Sequence, residues 1–299
     1  MSPLITHDDT KLPIRHRCEL VGIARSSYYR HLAAAPGENR SEIDLRDLIQ
    51  QICLEINGYG YRRVTKALHD RGYKVNHKRI LGLMRKDNLL CLKKKKWIHT
   101  TDSSHGYRIY PNLAHGLVPN RLNQLWVADI TYIRLEREFV YLAAILDVFS
   151  RRTIGWALSR HIDTNLSLAA LQMALATREV MPGLIHHSDR GVQYAATDYT
   201  ELLRKNNIVI SMSRRGNPYD NAFAESFMKT LKYEEVLLNE YESFEEAKMN
   251  LTHFIDIVYN RKRLHSSLGY RSPERFETDF TNSLYQKQST LIADFTVSL

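Results

Sequence analysis

The sequence predicts an α/β protein in which a mixed five-stranded sheet with flanking helices follows a small all-α region. Two patterns support this prediction. Between residues 41 and 92 apolar residues recur at helical spacing, whereas beyond Leu122 short apolar and β-branched runs alternate with helical segments. The chain has 299 residues, of which 43% are hydrophobic, and this is enough for one sizeable core and a smaller domain.

The all-α region is predicted in two parts. Residues 1–40 hold part of a helix-turn-helix at 18–31, a turn followed by a short polar-faced helix, before the sequence AAAPGEN at 33–39 interrupts the helical pattern. Residues 41–92 are predicted to form three short helices with basic faces, although a merely solvated basic face is the alternative. The first of these helices has apolar positions at Ile43, Leu45, Leu48, Ile49, Ile52 and Ile56.

A basic linker is predicted between this region and the sheet, from residue 93 to residue 119. It begins with four lysines in a row, Lys93, Lys94, Lys95 and Lys96. A run of like charges is usually solvated and mobile. The linker therefore separates two domains and adds positive charge between them.

The sheet and its helices are predicted to occupy residues 120–280, with a tail at 281–299. The order is three strands, helix, strand, helix, strand, helix, which is the order expected of an RNase H-like fold. In such a sheet the first strand is central and the fourth lies beside it. The strands are predicted at 125–133, 139–148, 152–159, 183–189 and 208–212, and the helices between them at 163–178 and 197–206.

The charge balance favours an anionic polymer as the partner. Lys and Arg total 42 against 33 Asp and Glu, a net charge of +9, although a merely basic soluble protein would show the same excess. Cys18, Cys53 and Cys91 form no CxxC pair, which excludes a Cys-based zinc finger and suits a reducing cytoplasm. Since no apolar run is long enough to span a membrane and no signal-peptide core is present, we expect a soluble intracellular protein.

Three acidic residues are candidates for a shared metal site. Asp129 lies in the first strand, Asp189 ends the fourth, and Glu225 lies in a helix with thirty-five residues between it and Asp189. A buried carboxylate is costly unless it is paired or binds a metal. Taken singly, each has a simpler interpretation. Asp129 would be a strand-end residue that accepts backbone hydrogen bonds, Asp189 a turn residue, and Glu225 an exposed helical residue. Together, in a basic chain, they indicate one metal site that handles phosphate.

Four segments carry a resemblance to a known family. They are WVADITY at 126–132, HHSDRGVQY at 186–194, DNAFAESF at 220–227 and YNRKRLHSSLGY at 259–270. Together with the spacing of the three acids, they resemble the second-frame (orfB-type) transposase of the IS-three family of bacterial insertion sequences. That family belongs to the superfamily of DDE transposases and retroviral integrases. The resemblance covers roughly residues 11–280.

The resemblance implies an enzyme that cuts one DNA strand at each insertion-sequence end and joins that 3′ end to DNA. Asp129, Asp189 and Glu225 match the family's catalytic triad. Carboxylate ligands without Cys suit two Mg²⁺ or Mn²⁺ ions per active site, which serve in-line phosphoryl transfer. No covalent protein nucleophile is needed, since water attacks in the cutting step and a DNA 3′-hydroxyl in the joining step.

The resemblance also implies partners. They are double-stranded DNA, as terminal inverted repeats and target, further copies of the chain on that DNA, and an upstream orfA-type protein. Such a protein supplies a helix-turn-helix and a leucine zipper, whereas here the helix-turn-helix is partial and no heptad pattern runs for three repeats. We expect no membrane partner, and a bacterial cytoplasmic, nucleoid-associated location.

Several basic residues are candidates for DNA contacts. At 100° per residue Glu225, Lys229 and Lys232 share one helix face, while Phe223, Phe227 and Leu231 lie on the other, and Lys232 is predicted to contact phosphate near the cut. In the 76–88 helix, Arg79 and Arg85 are predicted to read bases, because arginine pairs with guanine. Contact with the phosphate backbone is predicted for Lys93, Lys94, Lys95 and Lys96.

Two other functions remain open from sequence alone. One is an RNase H-like nuclease that only hydrolyses, and the helical region at 41–92 argues against it because such a nuclease has less need to read DNA ends. The other is a DNA-binding regulator with an inactive catalytic fold, and the complete set of three acids argues against that.

Overall fold

The computed structural model describes residues 13–33, 40–90, 106–214 and 218–297. The predicted lysine run at 93–96 lies outside these residues. The chain divides into two compact units, residues 1–48 and residues 49–299. No helix in the described ranges is long and apolar enough to cross a membrane.

The first unit contains two short helices joined by a tight turn. They are α1 (Ile14–Val21) and α2 (Arg25–Ala33). Gly22 forms the turn with a φ of 69°, a left-handed conformation that glycine adopts without steric cost. The predicted helix-turn-helix segment at 18–31 therefore has a helix before its turn as well as after it.

Three helices follow, as predicted. They are α3 (Arg40–Glu55), α4 (Tyr61–Asp70) and α5 (His77–Lys86). The Asn76 side chain caps α5 by accepting a hydrogen bond from the Lys78 N–H. The apolar face of α5, made by Ile80, Leu83 and Met84, is buried, whereas Arg79 and Arg85 are exposed.

The described residues form a mixed five-stranded sheet, which confirms the predicted fold class. Its strands have the order β3-β2-β1-β4-β5, so that β1 is central as predicted. β1 pairs antiparallel with β2 and parallel with β4, and β4 pairs parallel with β5. The strands are β1 (Leu125–Arg134), β2 (Phe139–Asp147), β3 (Thr153–Ser159), β4 (Ile185–Ser188) and β5 (Val209–Met212).

Helices cover both faces of the sheet. Successive strand residues point to opposite faces, so β1 presents apolar side chains to both. Trp126 and Ala128 belong to a core cluster with α6 (Thr164–Thr177) and α8 (Thr197–Lys205). Leu125 and Val127 belong to a second cluster on the other face, with α9 (Ala222–Leu231) and α10 (Phe244–Thr252). The short helix α7 (Val192–Ala195) follows β4 and is not predicted by the sequence pattern.

One close approach fixes the position of α6 on the sheet. At Gly155 in β3, an added Cβ would lie 2.2 Å from the Ala170 carbonyl oxygen and 2.8 Å from the Ala174 nitrogen. Backbone atoms cannot move aside as a side-chain end can. Glycine therefore allows α6 to pack directly against β3.

The last part of the chain is helical. α9 continues into a π-helical turn at Lys232–Val236, and α10 continues into a π helix at His253–Lys262. The apolar positions Phe244, Ala247, Leu251, Phe254 and Val258 predict one amphipathic helix over 244–262, and the structure confirms it. The final helix, α11 (Pro273–Val297), runs through residue 281, where a tail is predicted to begin. Its Glu277 carboxylate accepts hydrogen bonds from Arg152 and Arg178, each at 2.7 Å.

A buried ion pair connects the α3–α4 loop with this C-terminal part. The Arg263 guanidinium donates to both carboxylate oxygens of Glu234, at 2.6 and 2.7 Å, and Arg63 lies 3.8 Å from the same carboxylate. A Cβ at Gly58 would lie 2.9 Å from Glu234 Cγ. The Tyr59 hydroxyl accepts a 2.7 Å hydrogen bond from the Leu264 N–H, which is 205 residues away in sequence. We call this set of contacts the junction.

Candidate active site

Asp129 lies on the α9 face of the central strand. It continues the alternation of Leu125 and Val127, which pack towards α9. One carboxylate oxygen, Oδ1, accepts a 2.9 Å hydrogen bond from the Ile130 N–H. The strand therefore holds this carboxylate at the border between the core and solvent.

Asp189 follows directly after β4, beside Asp129. Since Val127 pairs with His187 in the parallel β1–β4 ladder, two further residues along each strand bring the two aspartates together. Asp189 Oδ1 accepts a 2.9 Å hydrogen bond from the Gly191 N–H. A Cβ at Gly191 would lie 3.0 Å from that oxygen, so glycine at this position avoids a steric clash with the carboxylate.

Glu225 reaches the site from the first turn of α9. The amide of Asn221, just before this helix, donates a 2.9 Å hydrogen bond to the Ala128 carbonyl oxygen and so ties α9 to β1 next to Asp129. As predicted, Phe227 and Leu231 are buried on the other face of the helix. Glu225 Oε2 lies 3.5 Å from Lys229 Nζ.

The three carboxylates interact electrostatically. The pKa of Asp129 is raised to about 8, first by burial, then by the charge of Asp189, with a further contribution from Glu225. The Ile130 N–H and the Lys232 ammonium oppose this shift. β1, β4 and α9 thus concentrate negative charge at one place.

Lys232 lies close to this charge. Its ammonium stands 4.3 Å from the centre of the Tyr132 ring. Burial lowers the pKa of Lys232, and the Asp129 carboxylate partly counters that effect. Of the residues predicted to contact DNA, Lys229 and Lys232 are therefore close to the acids, whereas Arg79 and Arg85 lie on α5, in the all-α region.

The donor chemistry of the three acids fits a hard divalent cation. All the donors are carboxylate oxygens, which suit Mg²⁺ or Mn²⁺, and a cation would offset the mutual repulsion. Within the described ranges, no three His, Cys, Asp or Glu side chains stand close enough together to hold a metal as they are. The Glu225 carboxylate lies against the Lys229 ammonium instead.

The two histidines before Asp189 are bonded inside the core. His187 lies between the hydroxyls of Ser211 and Ser213, at 2.8 and 3.0 Å, and His186 Nε2 lies 2.9 Å from the Tyr199 hydroxyl. Burial lowers the pKa of His186 to about 3 and that of His187 to about 4. Both are neutral histidines whose ring nitrogens support the end of β4.

Tyr194 is a residue at the site that sequence reasoning misses. Its hydroxyl is buried, and no hydrogen-bond partner for it exists among the described residues. Burial raises the pKa of Tyr194, and the charges of Tyr199, Asp129 and Asp189 raise it further, so the residue lies within electrostatic reach of the two aspartates. The only signal is its position in the segment 186–194, which it shares with residues of the core.

The structure corrects two local interpretations. From its place just before the helix, the sequence predicts Asp220 as the cap of α9. The residue that precedes α9 is Asn221, however, and the Asp220 carboxylate accepts hydrogen bonds from the Arg214 N–H and guanidinium. Asp147 ends a predicted strand, and the sequence favours a structural role in which it pairs with Arg151 or Arg152. Its role is structural, but its carboxylate accepts backbone N–H groups instead. The donors are the N–H groups of Asn123, Phe149 and Ser150.

A second group of basic residues lines a groove in the all-α region. The groove has a volume of about 350 Å³ and is lined by α4, the start of α5 and Tyr270. The sequence predicts base-reading arginines on α5, and the structure shows basic residues of α4 beside the start of that helix. The basic side chains lining the groove are Arg62, Lys66, His69 and His77.

Family models match most of the chain. An integrase core domain matches residues 119–218, a second integrase core domain model matches residues 206–273, and an HTH-like domain matches residues 40–97. An integrase core together with an HTH-like domain implies DNA as the partner.

Curated relatives extend over nearly the same length. The chain is 37% identical over 267 residues to the insertion element IS600 uncharacterized 31 kDa protein of Shigella sonnei, covering 88% of this chain and 98% of that protein. It is 33% identical over 283 residues to the transposase InsF for insertion sequence IS3A of Escherichia coli (strain K12), covering 91% and 96%. It is 38% identical over 244 residues to the transposase for insertion sequence element IS904 of Lactococcus lactis subsp. lactis (strain IL1403), covering 78% and 93%.

Among solved structures, the catalytic core domain of BIV integrase is similar at 16% identity and a TM-score of 0.40, over 55% of this chain and 99% of that one. A likeness at this level supports no statement about function. The family models and the curated relatives support one. The chain therefore belongs to the IS3 family of insertion-sequence transposases, which are DDE enzymes with an integrase core.

Proposed function

We propose that this transposase cuts one DNA strand at each end of its insertion sequence and joins the resulting 3′ end to target DNA. Asp129, Asp189 and Glu225 are the catalytic carboxylates. The observation that supports this assignment most is their electrostatic coupling, since Asp189 and Glu225 both raise the pKa of Asp129. Groups that repel one another in this way are typical of functional sites.

Each residue has a distinct role in the proposed site. Backbone N–H groups orient the two aspartates through their Oδ1 atoms, and Asn221 fixes the start of the helix that carries Glu225. Glu225 completes the site when it leaves Lys229. Two Mg²⁺ or Mn²⁺ ions held by the three carboxylates would activate the attacking oxygen and stabilise the leaving one.

The reaction needs no protein nucleophile. Water attacks in the cutting step, and the released 3′-hydroxyl attacks in the joining step, so both steps are in-line displacements at phosphorus. Lys232, which stands near Asp129, then contacts a phosphate close to the cut. Lys229 becomes available to DNA once Glu225 has left it.

We assign the remaining parts of the chain to DNA recognition. Residues 41–92 bind the insertion-sequence ends, with Arg79 and Arg85 of α5 as base-reading residues, and residues 93–119 connect them to the catalytic part at 120–280. Both arginines are exposed, as such a role requires. The protein acts as an oligomer on DNA, with an upstream orfA-type partner, in the nucleoid of a bacterial cytoplasm.

A strand-transfer assay with end-bearing DNA and Mg²⁺ tests the proposal. Glu225→Gln, Asp129→Asn and Asp189→Asn should each abolish cutting and joining but leave DNA binding unchanged, because these groups hold metal rather than phosphate. Glu240→Gln, at an exposed position after α9, is the matched control and should be fully active. A Glu225 variant with more than about a tenth of wild-type activity, a barrier increase below ~1.4 kcal/mol, contradicts the assignment.

The same assay separates the alternatives. A nuclease that only hydrolyses would cut the end-bearing strand without forming joined product. An inactive regulator would bind the ends but neither cut nor join DNA, and the wild type and the variants would behave alike.

A further inference from the structure

A cavity of about 410 Å³ opens on the flank of α9 opposite Glu225. At 100° per residue, four of the five α9 residues that line it are turned by about 100–160° from Glu225 around the helix axis, and Ala222 by about 60°. They include Ser226 and Thr230, which present hydroxyls to the cavity. Its opposite wall contains Ser266 and Ser267, from the segment that follows the π helix.

The cavity is lined by three guanidinium groups. They belong to Arg63, Arg151 and Arg263. Two of them are close to Glu234, since Arg263 donates to both of its carboxylate oxygens and Arg63 lies 3.8 Å away. The lining carboxylate is Asp147, and its oxygens accept backbone N–H groups.

Arg151 is the cation whose charge is least compensated. It is half-buried, and it forms no ion pair with any residue that the structure describes. Its guanidinium lies 3.9 Å from the centre of the Phe223 ring. Burial lowers the pKa of Arg151, and the charge on Asp147 counters only part of that effect.

The backbone at Arg151 also has an unusual conformation. The residue forms the turn between β2 and β3 with a φ of 63°, a conformation that few residues other than glycine adopt. Such a conformation persists where the surroundings fix it. A half-buried, unpaired guanidinium in a fixed turn, beside several hydroxyl donors, is an arrangement that favours an anion.

We propose that this cavity binds a backbone phosphate of the DNA whose scissile phosphate lies at the triad. Glu225 and Ser226 are adjacent in α9, so the cavity and the acids are two flanks of one helix. A DNA strand carries one phosphate per about 3.4 Å of helix axis, so DNA at one flank has further phosphates within reach of the other. The arginine fork matches a phosphate better than a lysine would. The proposal depends on DNA as the substrate and not on the cutting chemistry.

The test is the salt dependence of DNA binding by the full chain, measured by fluorescence anisotropy with an end-bearing duplex in EDTA. Without metal, a failure of the proposed cutting chemistry leaves this measurement intact. Arg151→Gln should lower the slope of log K against log salt by about 0.9, which at 0.1 M salt is about an eightfold loss of affinity. Arg151→Lys should keep the slope but lose part of the affinity.

Arg160→Gln is the matched control. Arg160 is also stacked on a ring, with its guanidinium 4.5 Å from the centre of Phe244, and it lies outside the cavity. It should leave the slope unchanged. If Arg151→Gln and Arg160→Gln have the same effect, whether large or none, the cavity is not a phosphate site.

A second variant covers the case in which Arg151→Gln does not fold. Ser267 is exposed on the cavity wall, so Ser267→Glu adds a negative charge without touching the β2–β3 turn. It should weaken DNA binding at least as much as Arg151→Gln. A duplex carrying one methylphosphonate at each position in turn then locates the contact, because one position should weaken wild-type binding and have no effect on Ser267→Glu. Unchanged affinity in Ser267→Glu overturns the proposal.

Discussion

We propose that Lys232 serves both the catalytic centre and its substrate. Its ammonium is half-buried over Tyr132, near the Asp129 carboxylate. Burial lowers the pKa of Lys232, whereas the charge of Asp129 raises it. A phosphate placed beside it would pair with a cation that the protein has already partly removed from water. Lys232 is therefore the basic residue near the acids from which we expect the clearest effect on DNA binding.

We predict that Lys232→Ala weakens binding to end-bearing DNA and lowers the salt slope by about 0.9, the value for one phosphate contact. The measurement is a salt titration of anisotropy in EDTA. Lys248→Ala, which removes the same charge from an exposed position on α10, is the control and should leave the slope unchanged. A slope for Lys232→Ala equal to that of the wild type would make Lys232 an ordinary surface lysine.

At this scale the sequence predicts the acids but not their neighbours. Asp129, Asp189 and Glu225 stand in segments whose residue types and spacing are distinctive. Tyr194 and Arg151 are not predicted, because a buried tyrosine and a turn arginine look the same in sequence whether or not they face a site. The cap expected at Asp220 is wrong since Arg214, six residues earlier, folds back onto that carboxylate.

At the scale of elements, strand and helix positions follow closely from the apolar pattern. The five strands lie within two residues of their predicted bounds, because alternation and turn residues mark them. The π-helical segments at 232–236 and 253–262 are not predicted, since their apolar spacing differs little from that of an α helix. The role of Gly155 in β3 is likewise not predicted from the sequence, because it depends on the packing of α6 against that residue.

We predict that Gly155→Ala destabilises the protein, because its Cβ would meet the backbone of α6 at 2.2 Å. Overpacking of this kind lowers the free energy of unfolding by about 1–3 kcal/mol or more. Urea denaturation of the purified variant measures the loss. Gly82→Ala in α5, where nothing lies within 4 Å of the new Cβ, should be neutral or stabilising, because alanine favours a helix. Equal stability of the two variants would contradict the packing argument.

At the scale of the whole molecule, joining two DNA ends needs two active sites held together. The amphipathic helix at 244–262 packs on the core, as its apolar pattern predicts, with Leu251 and Phe254 buried. The source of dimerisation is therefore expected elsewhere, in the DNA ends or in the upstream partner.

We predict that the purified chain joins paired ends slowly, and that adding the upstream-frame protein of the same insertion sequence raises the rate. The measurement is a time course of joined product from paired-end DNA, with and without that protein. An unrelated DNA-binding protein at the same concentration is the control. Equal rates with and without the upstream protein would show that the chain needs no such partner.

The junction is the feature of the whole molecule that sequence reasoning does not predict. Its contacts join residues up to 205 positions apart. The sequence around Glu234 does not indicate Arg263 as its partner, and the sequence around Arg263 does not indicate Glu234. A buried charge pair of this kind is expensive to break, at about 3–5 kcal/mol when one partner is removed.

The junction has a consequence for where the DNA is cut. The helix that carries Arg79 and the strand that carries Asp129 belong to one compact unit, and the Glu234–Arg263 pair lies between the loop before α4 and the helix that continues from Glu225. In the proposed function, α5 binds the end sequence and the triad lies at the scissile bond. The distance from α5 to the triad is then fixed by the structure of the protein. The number of base pairs from the recognised sequence to the new 3′ end is then set by the protein, and every copy of the element keeps the same boundary.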